Sequence, residues 1–171
     1  MSDPSIRFIG KSDLPAFKAL RLEALRGHPD TFGSDYEENL DRPESFWIER
    51  VEKLVDNPDG CAVVAESEKE LAGMVGVWRE EGRKCRHNAH IWGVYVHPAH
   101  RGKKLMDRMI DCAIEWCKSN GIRIVRLTVA THNPAAIRCY LRCGFTVYGV
   151  SPAELLVDGR FIDELLLFRR I

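Results

Sequence analysis

No stretch of this 171-residue chain stays apolar for the ~18–20 positions a membrane-crossing helix needs, so a spanning segment is not expected. Neither sign of charge is in excess. Twenty-five Lys and Arg balance 25 Asp and Glu, so no global field draws the protein to nucleic acid or to an anionic membrane. A local basic patch is all that remains possible. The opening MSDPSIRFIG brings an acid early and has no apolar core, which is not the pattern of a secretory signal. No CxxC occurs among the six cysteines, at 61, 85, 112, 117, 139 and 143. They read as reduced thiols of a cytoplasmic protein. Cys139 and Cys143 share one helix four residues apart, but no second His/Cys pair accompanies them, so no metal is expected. Repeats, low-complexity tracts and long linkers are also missing. Residues 1–171 therefore read as a single domain.

What is present is a soluble composition, 45% hydrophobic and 29% charged. Ser5 to Ile9 reads as a strand, and Asp13 to about Arg26 as a helix with the apolar stripe Leu14, Phe17, Leu20, Ala24 and Leu25. The segment 31–38 has no period and reads as a loop. Its acids Asp35, Glu37 and Glu38 hint at a cationic amine. A second helix spans Pro43 to Val55. A hairpin of Cys61–Glu66 and Leu71–Arg79 turns at Ser67-Glu68-Lys69-Glu70, and a strand runs from Asn88 to Val96. Ile122 to Ala130 is a buried strand, and Asn133-Pro134 opens a helix that Gly144 ends. Thr146–Val150, continuing toward Leu156, and Phe161–Arg169 flank the turn Val157-Asp158-Gly159-Arg160. The order βααβββαβαββ predicts an α/β (α+β) fold, a mixed, mostly antiparallel central sheet flanked by helices.

The organising stretch is Ile91 to Cys117. A β-branched and aromatic strand stops at His97-Pro98, the basic loop Arg101-Gly102-Lys103-Lys104 follows, and then a helix begins. Its apolar face is Leu105, Met106, Met109, Ile110, Ala113, Ile114 and Cys117. First-turn N–H groups have no intrahelical partner and carry the positive end of the dipole; beside Arg and Lys they make an anion site. An ordinary βα unit with solvated basic residues shares this spacing.

Val96-His97-Pro98-Ala99-His100-Arg101-Gly102 before an amphipathic helix resembles the acetyl-CoA-binding motif of the GNAT superfamily of N-acetyltransferases. Asn133 to Phe145 resembles its second signature, N-x-x-A-x-x-x-Y-x-x-x-G-F, through Asn133, Ala136, Tyr140, Gly144 and Phe145. The likeness covers essentially the whole chain. It implies the GNAT acyl-CoA N-acyltransferase fold, with acetyl-CoA as cosubstrate, no metal, a small primary amine as acceptor and a possible homodimer. It also implies that the backbone of Val94, Tyr95 and Val96 pairs with the pantetheine arm. The loop and first turn, Arg101, Gly102, Lys103, Lys104, Leu105, Met106 and Asp107, would hold the pyrophosphate. Asn133 and Ala136 would lie beside the cofactor, and Tyr140 near the thioester sulfur as general acid. The first signature departs from the family's Q/R-x-x-G-x-G/A, because Lys104 and Met106 replace small residues.

Acyl transfer to an amine needs a neutral amine, a polarised carbonyl and a protonated leaving thiolate. His90 is a candidate base, and its alternation with Trp92 and Val94 along the strand places the three on one face. Glu80, Glu164 and a water chain are the others. The alternative functions are a GNAT-fold binding or regulatory protein with weakened or lost acetyl-CoA use, and an acetyltransferase for protein amines.

Overall fold

The computed structural model describes residues 3–171. Seven strands form one sheet: β1 (Ser5–Phe8), β2 (Gly60–Ser67), β3 (Glu70–Arg79), β4 (Asn88–Val96), β5 (Ile124–Ala130), β6 (Thr146–Val157) and β7 (Arg160–Arg170). Their order across the sheet is β1-β2-β3-β4-β5-β7-β6, and every pairing is antiparallel except β4 with β5. The helices are α1 (Leu14–Gly27), α2 (Tyr36–Leu40), α3 (Glu44–Glu52), α4 (Leu105–Ser119) and α5 (Pro134–Arg142). This is the mixed, mostly antiparallel α/β architecture expected from the sequence. No helix of the described residues is long and apolar enough to cross a membrane.

Both faces of the sheet are covered, and β2 shows why its sequence is nearly all apolar. Val63 and Ala65 join the cluster under α4 and α5, whereas Ala62 and Val64 join the cluster under α1 and α3. Met109, Ile110 and Ala113 of α4 are fully buried. Burial of Met109 and Ile110 contributes roughly 1.5–3 kcal/mol each, which anchors the helix whose first turn faces the site.

Two departures from the sequence reading bear on function. Segment 31–38 is not all loop: Asp35 accepts a hydrogen bond from the Glu38 N–H at 2.9 Å and so starts α2. A five-residue helix is too short to show a period, which is why the sequence hides it. The second departure is a bulge in β4. Met74 pairs with Tyr95 but Gly76 pairs with Trp92, so β4 carries one residue more than β3, and Gly93 takes a left-handed φ of 62°. The extra residue reverses the alternation. Trp92 packs with the α1 side and Val94 with the α4 side, so the expected common face for His90, Trp92 and Val94 is corrected.

Candidate active site

The pairing of β4 and β5 stops after three residues. Asn88, Ala89 and His90 oppose Ile124, Val125 and Arg126, and beyond them the strands have no mutual register. β4 goes on to Val96 held only by β3, and β5 to Ala130 held only by β7. Their unpaired sides face a cavity of about 760 Å³. The splay leaves unpaired backbone polar groups at its rim, ready to bind an extended ligand as another strand would.

The α4 N-terminus closes one end of this cavity. Gly102 and Lys104 both have left-handed backbones, with φ of 79° and 55°, and no side chain caps the helix. The first-turn N–H groups therefore remain free for an anion. Lys104 occupies a left-handed conformation that a glycine would adopt without strain. A non-glycine residue in that region costs about 1–2 kcal/mol. Lys104→Gly is accordingly expected to raise the unfolding free energy by about 1 kcal/mol in urea titration. An unchanged midpoint would mean that the ammonium offsets the strain by a contact of its own. Met106 lies both in the cavity wall and against the α4-side core, so it fills the crevice from the helix rather than crossing the loop.

The structure brings most of the expected cofactor residues to this one cavity. Val94, Tyr95 and Val96 line it, but the Tyr95 ring turns to the α1 face, where its hydroxyl donates to Glu23 at 2.8 Å. Burial, with Glu23 adding, pushes the Tyr95 hydroxyl up to about 12. Arg101 donates from Nε to the Val96 carbonyl at 3.1 Å and sets its guanidinium 3.1 Å from His28, holding the loop to the strand end. Gly102, Lys104, Leu105 and Asp107 line the cavity, whereas Lys103 does not. The Asp107 carboxylate is engaged with α5: it receives Arg142 Nε and Nη2 at 3.1 Å each and the Cys139 thiol at 3.3 Å. Asp107, Cys139 and Cys143 have donor atoms within 4.8 Å of one another, a cluster the sequence did not announce because Asp107 comes from another helix.

On the opposite wall, Asn133 caps α5 by accepting from the Ala136 N–H at 3.1 Å, and both residues border the cavity. Tyr140 lines it too, 5% exposed, with its ring edge-on to Phe145 at 6.1 Å. Burial pushes its hydroxyl well above the ordinary tyrosine range, with Cys139, Cys143 and Glu164 adding, so it remains a proton donor at neutral pH. Glu164 of β7 lines the same cavity at 6% exposure. Desolvation raises its carboxyl above the usual glutamate range, opposed by a hydrogen bond from Thr128 and reinforced by Glu154.

His90 and Glu80 do not reach this cavity. They pair with each other, Nε2 to Oε1 at 2.7 Å, both half-buried. Parallel pairing with Arg126 holds His90 in the closed part of the sheet, behind the splay. Asp35, Glu37 and Glu38 are likewise outside the wall, as is the Asp158 turn, so the acidic hint of a cationic acceptor finds no place in the cavity. From that part of the chain the wall contains Phe32, Gly33 and Ser34. Sequence reasoning missed Arg21, Trp92 and the pair His132–Asp30, whose Nε2 and Oδ2 are 3.1 Å apart. Arg21 had left a signal: it falls inside the apolar stripe of α1, between Phe17 and Ala24, where a charge is out of place.

The profile of the acetyltransferase (GNAT) family matches residues 21–145, most of the chain. This chain is a GNAT-family acetyltransferase. As such it is 26% identical over 127 residues to a spermidine N(1)-acetyltransferase from Vibrio cholerae, covering 74% of this chain and 70% of that one. It is 27% identical over 161 residues to an L-methionine sulfoximine/L-methionine sulfone acetyltransferase from Salmonella typhimurium, covering 93% and 90%. In three dimensions the GNAT sheet and helices superpose on a putative acetyltransferase from Salmonella typhimurium, solved with its cofactor acetyl-CoA. The TM-score is 0.80 at 22% identity, over 99% of this chain and 94% of that one.

Proposed function

We propose that residues 1–171 form one acetyl-CoA-dependent N-acetyltransferase domain that acetylates the primary amine of a small molecule directly. The observation that carries this reading is the splay of β4 from β5, which opens one cavity onto an uncapped helix N-terminus, Tyr140 and Glu164. The groups present fit the cosubstrate's chemistry: free N–H donors and basic side chains for phosphates, and an unpaired strand edge for amides. Acetyl-CoA supplies the acyl group as a thioester.

The N–H groups of Leu105, Met106 and Asp107, with Arg101 and Lys104 beside them, hold the pyrophosphate. Backbone groups of Val94 and Val96 take the pantetheine amides. Tyr140 donates its hydroxyl proton to the departing thiolate, and burial keeps that hydroxyl protonated at neutral pH, the state in which a general acid must start. Glu164 takes a proton from the acceptor's ammonium, because it is the glutamate in the wall and its raised pKa brings it nearer the working pH. His90 is not assigned this role, since its ring lies behind the splay.

Calorimetric titration of acetyl-CoA followed by a CoA-release screen over primary amines tests this directly. Micromolar binding and turnover on a small amine are expected; no binding up to millimolar would sink the reading. Glu164 gives a sharper test. As base it must be ionised, so kcat/KM should rise with pH through a limb above the ordinary glutamate value of about 4.3. Glu164→Gln should abolish that limb and cost about a hundredfold in rate. A pKa raised by folding means the native state binds the extra proton, so this group's contribution to stability falls as pH rises through that window. The Gln variant should thus melt higher at neutral pH and equally in acid. A retained limb would assign the base elsewhere.

A further inference from the structure

Arg21 is 3% exposed, yet Nε and Nη1 of its guanidinium are buried without a hydrogen-bond partner. No carboxylate pairs with it among the described residues. Its Cζ lies over two aromatic rings, 5.0 Å from the Phe32 ring centre and 6.0 Å from that of Trp92. Arg50 approaches Trp92 too, Cζ at 4.5 Å, and its buried Nε is also unpartnered. The Trp92 indole Nε1 is a fourth buried donor with no acceptor. Arg21, Phe32 and Trp92 all stand in the cavity wall.

Aromatic rings accept no conventional hydrogen bond from these N–H groups, and the N–H edge of a guanidinium matches a carboxylate. The unmet groups here are all donors, and two are cationic. Burial, with Arg50 adding, pushes Arg21 down to about 10, the direction produced when no anion stands close. An uncompensated buried cation is costly, and a fold retains it where a ligand supplies the counter-charge. The same cavity carries Glu164, suited to receive a proton from an ammonium.

We infer that Arg21, supported by Arg50 and the indole of Trp92, is the anion-binding end of the acceptor site. The acceptor is then a small primary amine that bears a carboxylate, an amino-acid-like molecule and not a polyamine. This rests on the acetyltransferase reading above, and the test separates the two.

With the full chain held at saturating CoA, tryptophan emission and calorimetry are followed as the protein L-amino acids and L-methionine sulfone are added, each beside its carboxamide, with spermidine in parallel. At least one free acid should bind about tenfold or more tighter than its amide, the scale of a lost charge-assisted hydrogen bond. Saturating CoA excludes the alternative that the guanidinium serves a phosphate of the cosubstrate. Arg21→Gln should remove the preference for acid over amide while leaving acetyl-CoA affinity within about twofold, since the two ends of the cavity do not share these donors. If that variant fails to fold, Arg50→Gln and the acid–amide comparison on the unaltered chain stand in its place. The inference is overturned if amides or spermidine match the acids, if no acid saturates, or if CoA displaces the acid. Acid binding without CoA release from acetyl-CoA would uphold the subsite and overturn the acetyltransferase reading instead.

Discussion

Tyr140→Phe is expected to lower kcat by about tenfold or more and to leave acetyl-CoA affinity nearly unchanged. The substitution removes one oxygen from a ring that α5 places in the cavity wall and that Phe145 holds edge-on. Among the described residues no hydrogen bond takes the hydroxyl, so the variant loses no packing and leaves no partner unsatisfied. The effect then falls on the chemical step. A thiolate that must leave without a positioned proton waits for solvent, so stopped-flow traces should show slowed acyl transfer with an unaltered binding phase. Burial and the neighbouring thiols raise the hydroxyl's pKa, so the native enzyme should keep its activity well into the alkaline range. Unchanged kcat in the variant would remove Tyr140 from the mechanism.

Gly76→Ala should be the most damaging single methyl in the chain. A Cβ built there lies 2.1 Å from Trp92 Cε2 and 2.3 Å from Cζ2. The indole has little room to yield: it stacks on Trp78 at 5.4 Å with 9° between planes, and Arg50 lies over it. Overpacking of this kind costs roughly 2–3 kcal/mol, or about 5–10 °C in melting temperature for a chain of this length. Displacing Trp92 would also loosen Arg21, so the variant should lose the preference for carboxylate-bearing acceptors. A melting temperature within a degree of the parent would show that the indole swings aside freely and does not form a rigid wall.

The sequence by itself was enough for the seven strands, four of the five helices and the glycine-bearing turn before α4. Those features are local or periodic. The stripe on α4, the Asn133 cap and the glycine after α5 each need only neighbours within a few positions, so their spacing is legible in one dimension. Residues from both signatures, among them Val96, Arg101, Gly102, Asn133, Ala136 and Tyr140, line one cavity.

Only the tertiary structure decided the acceptor end. A single extra residue in β4 reversed the face of Trp92 relative to Val94, and nothing in the strand's composition announces a bulge. The end of pairing between β4 and β5 kept His90 from the cavity and left Glu164, from a strand 74 residues later, in its wall. Arg21 and Trp92 lie 71 positions apart in the chain, and their juxtaposition with Phe32 depends on how α1 settles across the sheet. The acids that hinted at a cationic acceptor lie elsewhere: Asp35 caps α2, Glu37 and Glu38 sit in its first turn, and none of them lines the cavity. The unpaired cation on α1 was the charge that mattered, because burial turns an ordinary surface group into an unmet demand for a counter-ion.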